Sequence, residues 1–130
     1  MLDRIDNKNA QGEYYLTDIF ALAASDAMEI ITSQPSAAWE VEGVNNRLQL
    51  ATLERIHQMN IANQLMADGV ALADPARLDV RGHADISNDV FIDVNVILEG
   101  EVKIGSGSTI GPNVVIMDSI IGENVTIKAN

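Results

Sequence analysis

Cysteine is absent from this 130-residue sequence, and aromatic residues make up only 4% of it. Without thiols the chain has no disulfides, no thiolate metal ligands and no cysteine nucleophile. Because aromatic rings are so few, a hydrophobic content of 47% has to come mainly from aliphatic and alanine side chains. The length suits one modest domain or pieces of two.

Positive charge is also scarce, because 8 lysines and arginines face 19 aspartates and glutamates, for a net charge of −11. Nucleic acids and anionic membranes bind through basic surfaces, so this balance argues against both as partners. No apolar run approaches the ~20 residues of a membrane span. The first residues, MLDRID, lack the layout of a signal peptide. We therefore expect a cytoplasmic protein.

The last third of the chain repeats with a period of six residues. Aliphatic residues recur at this spacing, with one residue dropped before the last two: Val80, Ile86, Ile92, Leu98, Ile104, Ile110, Ile116, Ile121 and Ile127. Two positions earlier stands a second small or aliphatic residue in most units: Ala84, Val90, Val96, Val102, Ser108, Val114 and Val125. Three positions later come residue types that readily adopt left-handed backbone conformations: Asn95, Gly107, Asn113 and Asn124.

A period of six is typical of a parallel β-helix, in which each unit gives one short strand and one tight turn. A helix would repeat near 3.6 residues, and an open sheet would not place a turn residue in every unit. Three units make one triangular coil in the left-handed form, so the repeats predict about three coils. The pattern predicts the fold and leaves the chemistry open, because this scaffold carries many activities.

The segment before the repeats reads as a strand–helix–strand fragment. We predict a helix that begins at Thr17 and Asp18, a capping hydroxyl followed by an acid in the first turn. Residues 29–32 and 39–42 read as extended pieces on either side of a loop around Pro35. Such a fragment is too small to bury a core alone.

A long helix is predicted next. Asn45 or Asn46 is a natural N-cap, and Gly69 is a natural stop. Apolar residues follow with helical spacing between them: Leu48, Leu53, Ile56, Ile61 and Leu65. About twenty helical residues form a rod of about 30 Å, which reads as a linker between two domains.

Two sequence runs and the order of the parts point to a family. The runs are NAQGEYYLTD at 9–18 and EGVNNRLQL at 42–50, followed by the long helix, DPAR at 74–77 and the hexapeptides. Together they closely resemble the bifunctional bacterial enzyme N-acetylglucosamine-1-phosphate uridyltransferase / glucosamine-1-phosphate acetyltransferase. The resemblance covers essentially the whole chain.

The resemblance implies three parts. Residues 1–47 would be an α/β fragment, the C-terminal part of a Rossmann-like pyrophosphorylase (nucleotidyltransferase) domain. Residues 48–68 would be the linker helix, and residues 69–130 the first coils of a left-handed parallel β-helix that carries the acetyltransferase. Members of the family associate as homotrimers through the β-helix, so the same partner is expected here.

The implied activity is the synthesis of UDP-N-acetylglucosamine for peptidoglycan and lipopolysaccharide. The family transfers acetyl from acetyl-CoA to glucosamine 1-phosphate, and then uridylyl from UTP to N-acetylglucosamine 1-phosphate with Mg²⁺. The family's glycine-rich nucleotide loop and its histidine base have no match in this sequence. We therefore expect no catalytic residue within these 130 residues, and expect the isolated slice to be inactive in both reactions.

Three residues match substrate-binding positions of the family. Asn45, the first asparagine of the Gly-Val-Asn-Asn-Arg motif, matches a ligand of Mg²⁺ and of the UDP-sugar. An amide oxygen suits a hard cation but usually acts beside a carboxylate, and a helix cap is the competing interpretation of Asn45. Tyr15 and Thr17 match positions that line the sugar pocket, with a strand-end aromatic and a helix cap as their structural alternatives.

Other polar residues give weaker signals. Glu13, Asp18 and Glu42 could act as general acids, but uridylyl transfer needs mainly positioning and charge neutralisation, so we interpret them as solvated or helix-dipole residues. His57 and His83 form no constellation and read as surface residues.

Three other functions are weighed. The slice could be a non-enzymatic oligomerisation and spacer module, since a truncated solenoid exposes an apolar coil that invites association. It could be another hexapeptide acyltransferase, such as a serine acetyltransferase, which leaves the Gly-Val-Asn-Asn-Arg motif unexplained. A hexapeptide carbonic anhydrase is rejected, because one histidine in the repeats cannot supply a zinc site.

Overall fold

The chain folds into two compact units, Met1–Glu42 and a second unit that begins at Gly43. The structure, a computed structural model, describes residues 1–129.

The first unit contains one α-helix. Helix α1 spans Asp18–Ser25, with 3-10 turns at Leu2–Arg4 and Ala38–Val41. The predicted helix start at Asp18 is confirmed, but the capping role of the Thr17 hydroxyl is wrong, because Thr17 makes no side-chain cap hydrogen bond. Thr17 already has helical backbone angles, whereas a capping side chain reaches the first turn from an extended backbone.

The two predicted extended pieces are not strands. Residues 29–32 belong to no element, and the turn Ala38–Val41 occupies most of 39–42. A strand needs a neighbour for its N–H and C=O groups, and no strand lies in this unit within the described residues. The Ala37 N–H instead donates to the Glu40 carboxylate at 3.0 Å and closes the turn. The Rossmann-like sheet implied by the resemblance stays a prediction.

The second unit begins with helix α2, Arg47–Ala67, close to the predicted range of 48–68. Its N-cap is Asn46, whose side-chain oxygen accepts a hydrogen bond from the Gln49 N–H at 2.9 Å. The Gln49 side chain accepts in return from the Asn45 N–H at 2.8 Å, an exchange close to a capping box. At the other end Gly69 takes a φ of 95°, which agrees with its predicted role as the stop.

After α2 the chain winds as a parallel β-solenoid. Every strand pair is parallel, and the strands form two sheets, ordered β1-β3-β5-β8 and β2-β4-β6, with β7 also paired to β4. The strands are β1 Ala71–Leu72, β2 Leu78–Ile86, β3 Phe91–Ile92, β4 Val96–Ile104, β5 Thr109–Ile110, β6 Val115–Met117, β7 Ile120–Ile121 and β8 Thr126–Ile127. A 3-10 turn at Pro75–Arg77 separates β1 from β2.

The strand register confirms the repeat. Leu78 pairs with Val96, and Phe91 with Thr109, each eighteen residues further along the chain. Three hexapeptides therefore make one coil, and the described chain completes about three coils. Thr109 pairs with Thr126, one residue sooner, because the third coil is shorter by the dropped residue.

The predicted ladder is the core of the solenoid. Its first seven aliphatics are buried, and Ile121 and Ile127 are partly buried against them. The second column is also inside: Val90, Val96, Val102, Ser108 and Val114 are all buried. The predicted turn residues all have positive φ, from 55° at Asn124 to 71° at Gly107. Asp89, which the pattern did not include, has the same conformation with a φ of 58°.

Helix α2 packs on the first coil through a face that the apolar pattern predicts only in part. Leu65 is buried and Ile61 packs against the solenoid core. Leu48 was expected on this face and is instead 78% exposed. The other buried residues of α2 are Gln58 and Ala62, so the buried face follows the spacing 58, 61, 62 and 65.

Candidate functional site

Asn45 is an exposed residue directly before helix α2. Its competing interpretation as the helix cap is wrong, because the neighbouring Asn46 side chain makes the cap hydrogen bond. Asn45 takes part in the helix start through its backbone N–H, which donates to Gln49. Its carboxamide is therefore not needed to begin the helix.

Tyr15 and Thr17 lie in the first unit, just before helix α1. Tyr15 is half-buried and its carbonyl accepts from the Asp18 N–H at 3.1 Å, while the Thr17 carbonyl accepts from the Phe20 N–H at 3.1 Å. Their backbones thus form the turn that leads into α1. Tyr15 is not at a strand end and the Thr17 hydroxyl is not a cap, so neither structural alternative holds.

A complete Mg²⁺ site is not formed by this part of the protein. Mg²⁺ prefers an octahedron of oxygen ligands that includes carboxylates or phosphates. Over residues 1–129 no three His, Cys, Asp or Glu side chains come together as a metal-binding group. Asn45 offers one amide oxygen, which does not make a site, and no catalytic step through Mg²⁺ follows from these residues.

The remaining candidates lie on the surface. Glu13, Asp18 and Glu42 are exposed, as expected for solvated carboxylates. His57 is exposed on α2, and His83 is exposed in β2 opposite Glu101 of β4.

The first unit contains an ion pair between Arg4 and Asp26. Asp26 is the residue that follows helix α1. The hydrogen bond from the Arg4 guanidinium lowers the pKa of the Asp26 carboxyl below its ordinary value, and the same bond raises the pKa of Arg4. Both side chains are well exposed, so water and salt weaken the pair.

Basic residues of the second unit gather where α2 meets the first coil. Arg55 of α2 and Arg81 of β2 both pair with Asp79. Arg77 donates to the Asn95 side chain at 2.9 Å, and Asn95 donates in turn to Asn113 at 2.8 Å. A groove of about 270 Å³ between these residues is lined by guanidinium groups that already have partners, so it is not assigned a ligand.

The burial of one residue in this region was not predicted from the sequence. Gln58 is a buried polar side chain on α2, hydrogen-bonded to the backbone of β2. Its position in the sequence could have indicated its burial. Gln58 lies three or four residues before Ile61 and Ala62, which lie three or four residues before Leu65, so all four residues share one face of the helix. A polar residue on a buried helical face predicts a specific partner.

Comparison with known proteins matches residues 83–117 to the family described as bacterial transferase hexapeptide (six repeats). This stretch runs from within β2 to the end of β6. The structure also contains, over the described residues, no helix with the length and apolar character of a membrane span.

Curated proteins match nearly the whole chain. The bifunctional protein GlmU of Stutzerimonas stutzeri is 54% identical over 129 residues, which are 99% of this chain and 28% of that protein. GlmU of Marinobacter nauticus is also 54% identical over 129 residues, with the same coverage of both chains. GlmU of Burkholderia multivorans is 53% identical over 128 residues, 98% of this chain and 28% of its own length. The chain thus spans a little over a quarter of the length of these relatives.

Proposed function

We propose that this chain, a central GlmU segment with a hexapeptide repeat, serves a bifunctional transferase that makes UDP-N-acetylglucosamine. The observation that carries the proposal is the match of 99% of the chain at 54% identity, across both compact units. The enzyme would transfer acetyl from acetyl-CoA to glucosamine 1-phosphate, and then uridylyl from UTP to N-acetylglucosamine 1-phosphate. Its product would feed peptidoglycan and lipopolysaccharide synthesis in the cytoplasm.

The three parts have separate roles in this proposal. Residues 1–47 contribute to the uridylyl site, residues 48–68 connect the two domains, and residues 69–130 begin the acetyltransferase solenoid. The continuous helix Arg47–Ala67 supports the connecting role, because a helix of this length is a stiff spacer of about 30 Å.

Asn45, Tyr15 and Thr17 are proposed as contacts of UDP-N-acetylglucosamine. The support for Asn45 is that its exposed carboxamide has no structural role at the helix start, where the Asn46 side chain makes the cap. A carboxamide can donate to and accept from the hydroxyl and amide groups of a sugar. The support for Tyr15 and Thr17 is that neither side chain acts as strand end or cap. Mg²⁺ belongs to the proposed enzyme, with further ligands from beyond these residues.

Association as a homotrimer is proposed for the solenoid. The support is exposed apolar side chains on β6 and β7, where Val115, Met117 and Ile120 are 58%, 55% and 80% exposed. Val115 and Met117 lie on the same face of β6, and exposed apolar side chains that lie together mark sites of protein association. A spacer module without enzymatic activity would use the same surface, so assays of the two transfer reactions separate the two proposals.

A chimera tests the function directly. The matching stretch of Stutzerimonas stutzeri GlmU is replaced by residues 1–129 of this chain, and both transfer reactions are assayed beside the unaltered relative. We expect the chimera to release pyrophosphate from UTP and coenzyme A from acetyl-CoA at rates near those of the relative. A folded chimera that performs neither reaction would overturn the proposal.

A further inference from the structure

Gln58 is 4% exposed and binds a single backbone residue of the solenoid. Its side-chain oxygen accepts a hydrogen bond from the Val80 N–H at 2.8 Å, and its side-chain nitrogen donates to the Val80 carbonyl at 2.8 Å. The same nitrogen donates to the Glu54 carboxylate at 2.9 Å. No buried side-chain nitrogen or oxygen lacks a partner anywhere in residues 1–129, so this contact is fully satisfied.

Val80 lies in the edge strand of its sheet. Strand β2 pairs with β4 on one side, and the described chain has no strand on its other side. Backbone groups on such an edge are free to pair with the strand of another molecule. Gln58 satisfies both the N–H and the C=O of Val80, as residues of a neighbouring strand would do.

Contacts on both sides of Gln58 hold α2 against this edge. Arg55, one turn earlier, pairs with Asp79 of β2. One turn later Ala62 is fully buried, and Leu65 belongs to the solenoid core. Three kinds of contact along α2 therefore hold it on the first coil. These are an ion pair, the two hydrogen bonds between the Gln58 amide and Val80, and apolar packing.

We propose that helix α2 caps the first coil of the solenoid and that Gln58 is the positioning residue of this cap. By occupying the backbone groups of Val80, the Gln58 side chain prevents a second copy of this chain from adding a strand to β2. A second copy is the expected occupant, because strand addition requires only backbone groups and every copy carries the same parallel strands. This inference concerns assembly and does not depend on the proposed enzymatic function.

The test compares Gln58→Leu with Gln64→Leu in the full 130-residue chain. Leucine at 58 keeps most of the volume and removes both bonds to Val80. Gln64 is an exposed glutamine of the same helix whose side chain hydrogen-bonds to Asp68 and not to the solenoid, so it is a matched control. Hydrogen exchange of the Val80 amide is followed by mass spectrometry, with Ile97 of β4 as internal reference, since its N–H donates to Val114 at 3.0 Å.

We expect the Val80 amide of Gln58→Leu to exchange at least about tenfold faster, equivalent to about 1.4 kcal/mol, with Ile97 unchanged. Light scattering should show assemblies larger than those of the unaltered protein, increasing with concentration. The Gln64→Leu control should show neither effect. Unchanged exchange at Val80 would overturn the proposal, and so would faster exchange without larger assemblies.

A second variant keeps the test decisive if Gln58→Leu does not fold. Gln58→Asn retains the carboxamide on a side chain one methylene shorter, so it cannot reach both groups of Val80 from the same helix position. We expect faster Val80 exchange and larger assemblies in this variant also. Wild-type exchange and wild-type assembly in Gln58→Asn would overturn the proposal.

Discussion

The carboxylate of Asp118 lies directly against Gly100, where it accepts a hydrogen bond from the Glu101 N–H at 3.0 Å. A Cβ atom on Gly100 would overlap this carboxylate, and Gly100 has a φ of 71°. Gly100 lies at a corner of the solenoid, and strand β4 continues through this corner without a break. In the next coil the strand is interrupted at the same corner, because Asp118 separates β6 from β7. The side chain of Asp118 thus closes the corner at the place where the repeat drops one residue.

Gly100→Ala should therefore destabilise the solenoid. The added methyl group meets the Asp118 carboxylate and forces an L-residue into a left-handed conformation, so we expect a loss of about 2–4 kcal/mol in the free energy of unfolding. Urea denaturation gives the value. Gly43→Ala is the control, because nothing lies within 4 Å of a Cβ at Gly43. Equal stability of the two variants would contradict the account of this corner.

Alanine substitutions at the adjacent residues Asn45 and Asn46 should have different effects, one on activity and the other on stability. Asn46→Ala removes the cap of α2 and should lower the free energy of unfolding by about 1 kcal/mol. Asn45→Ala should leave stability unchanged, since the Asn45 side chain has no part in the cap. In the GlmU chimera, Asn45→Ala should lower kcat/KM for uridylyl transfer by at least about tenfold, with acetyl transfer retained. A loss of both activities would instead indicate a general structural effect.

Replacing leucine by alanine should lower stability much more in the solenoid ladder than on the surface of α2. Leu98 is 1% exposed in the middle coil, whereas Leu48 is 78% exposed on α2. Leu98→Ala should cost about 2–5 kcal/mol because it leaves a cavity in the core. Leu48→Ala should change stability by less than about 0.5 kcal/mol. Chemical denaturation of both variants checks the contrast, and a small effect at Leu98 would argue against a packed ladder.

The first unit should lose stability in acid through Asp26. Because the hydrogen bond from Arg4 lowers the pKa of Asp26 in the folded state, its contribution is present above the unfolded pKa of about 3.9 and is lost as pH falls through the folded pKa. Fluorescence of Trp39, the single tryptophan, reports unfolding of this unit. Asp26→Asn should remove this part of the pH dependence, and Asp3→Asn should not. Added salt should reduce the effect, because the pair is exposed.

Association should depend on the exposed apolar residues of the third coil. Met117→Glu places a charge on the exposed face of β6, beside Val115, and should shift the proposed trimer towards monomer. Thr126→Glu, an exposed position in the other sheet, is the control and should remain trimeric. Light scattering measures the mass. A trimer that persists in Met117→Glu would place the interface elsewhere.

The repeat region was predictable from sequence because its constraints are periodic. Each inward position from Val80 to Ile110 stacks on its equivalent in the next coil, so the spacing of six reports the fold directly. The left-handed turn residues were also predictable, since few residue types adopt positive φ without strain. Asp89 was missed because aspartate adopts this conformation less often than asparagine or glycine does.

Other features depend on partners that periodicity does not reveal. Gln58 is buried because the edge of β2 offers it two backbone groups, and a hydropathy pattern marks it only as polar. Leu48 fits the helical spacing but lies in the first turn of α2, where it remains exposed. Residues 29–32 have the composition of a strand, yet strand formation requires a neighbouring strand.

The roles of Asn45, Tyr15 and Thr17 came from resemblance alone, because an exposed asparagine or threonine has no physical signature of a ligand site.

The most direct measurement is pyrophosphate release from UTP and N-acetylglucosamine 1-phosphate by two preparations, the isolated 14.0 kDa chain and the GlmU chimera that carries residues 1–129. The account predicts no release by the isolated chain, because it spans only 28% of the length of the GlmU relative, and release by the chimera near the rate of the unaltered relative. Release by the isolated chain, or none by a folded chimera, would contradict it.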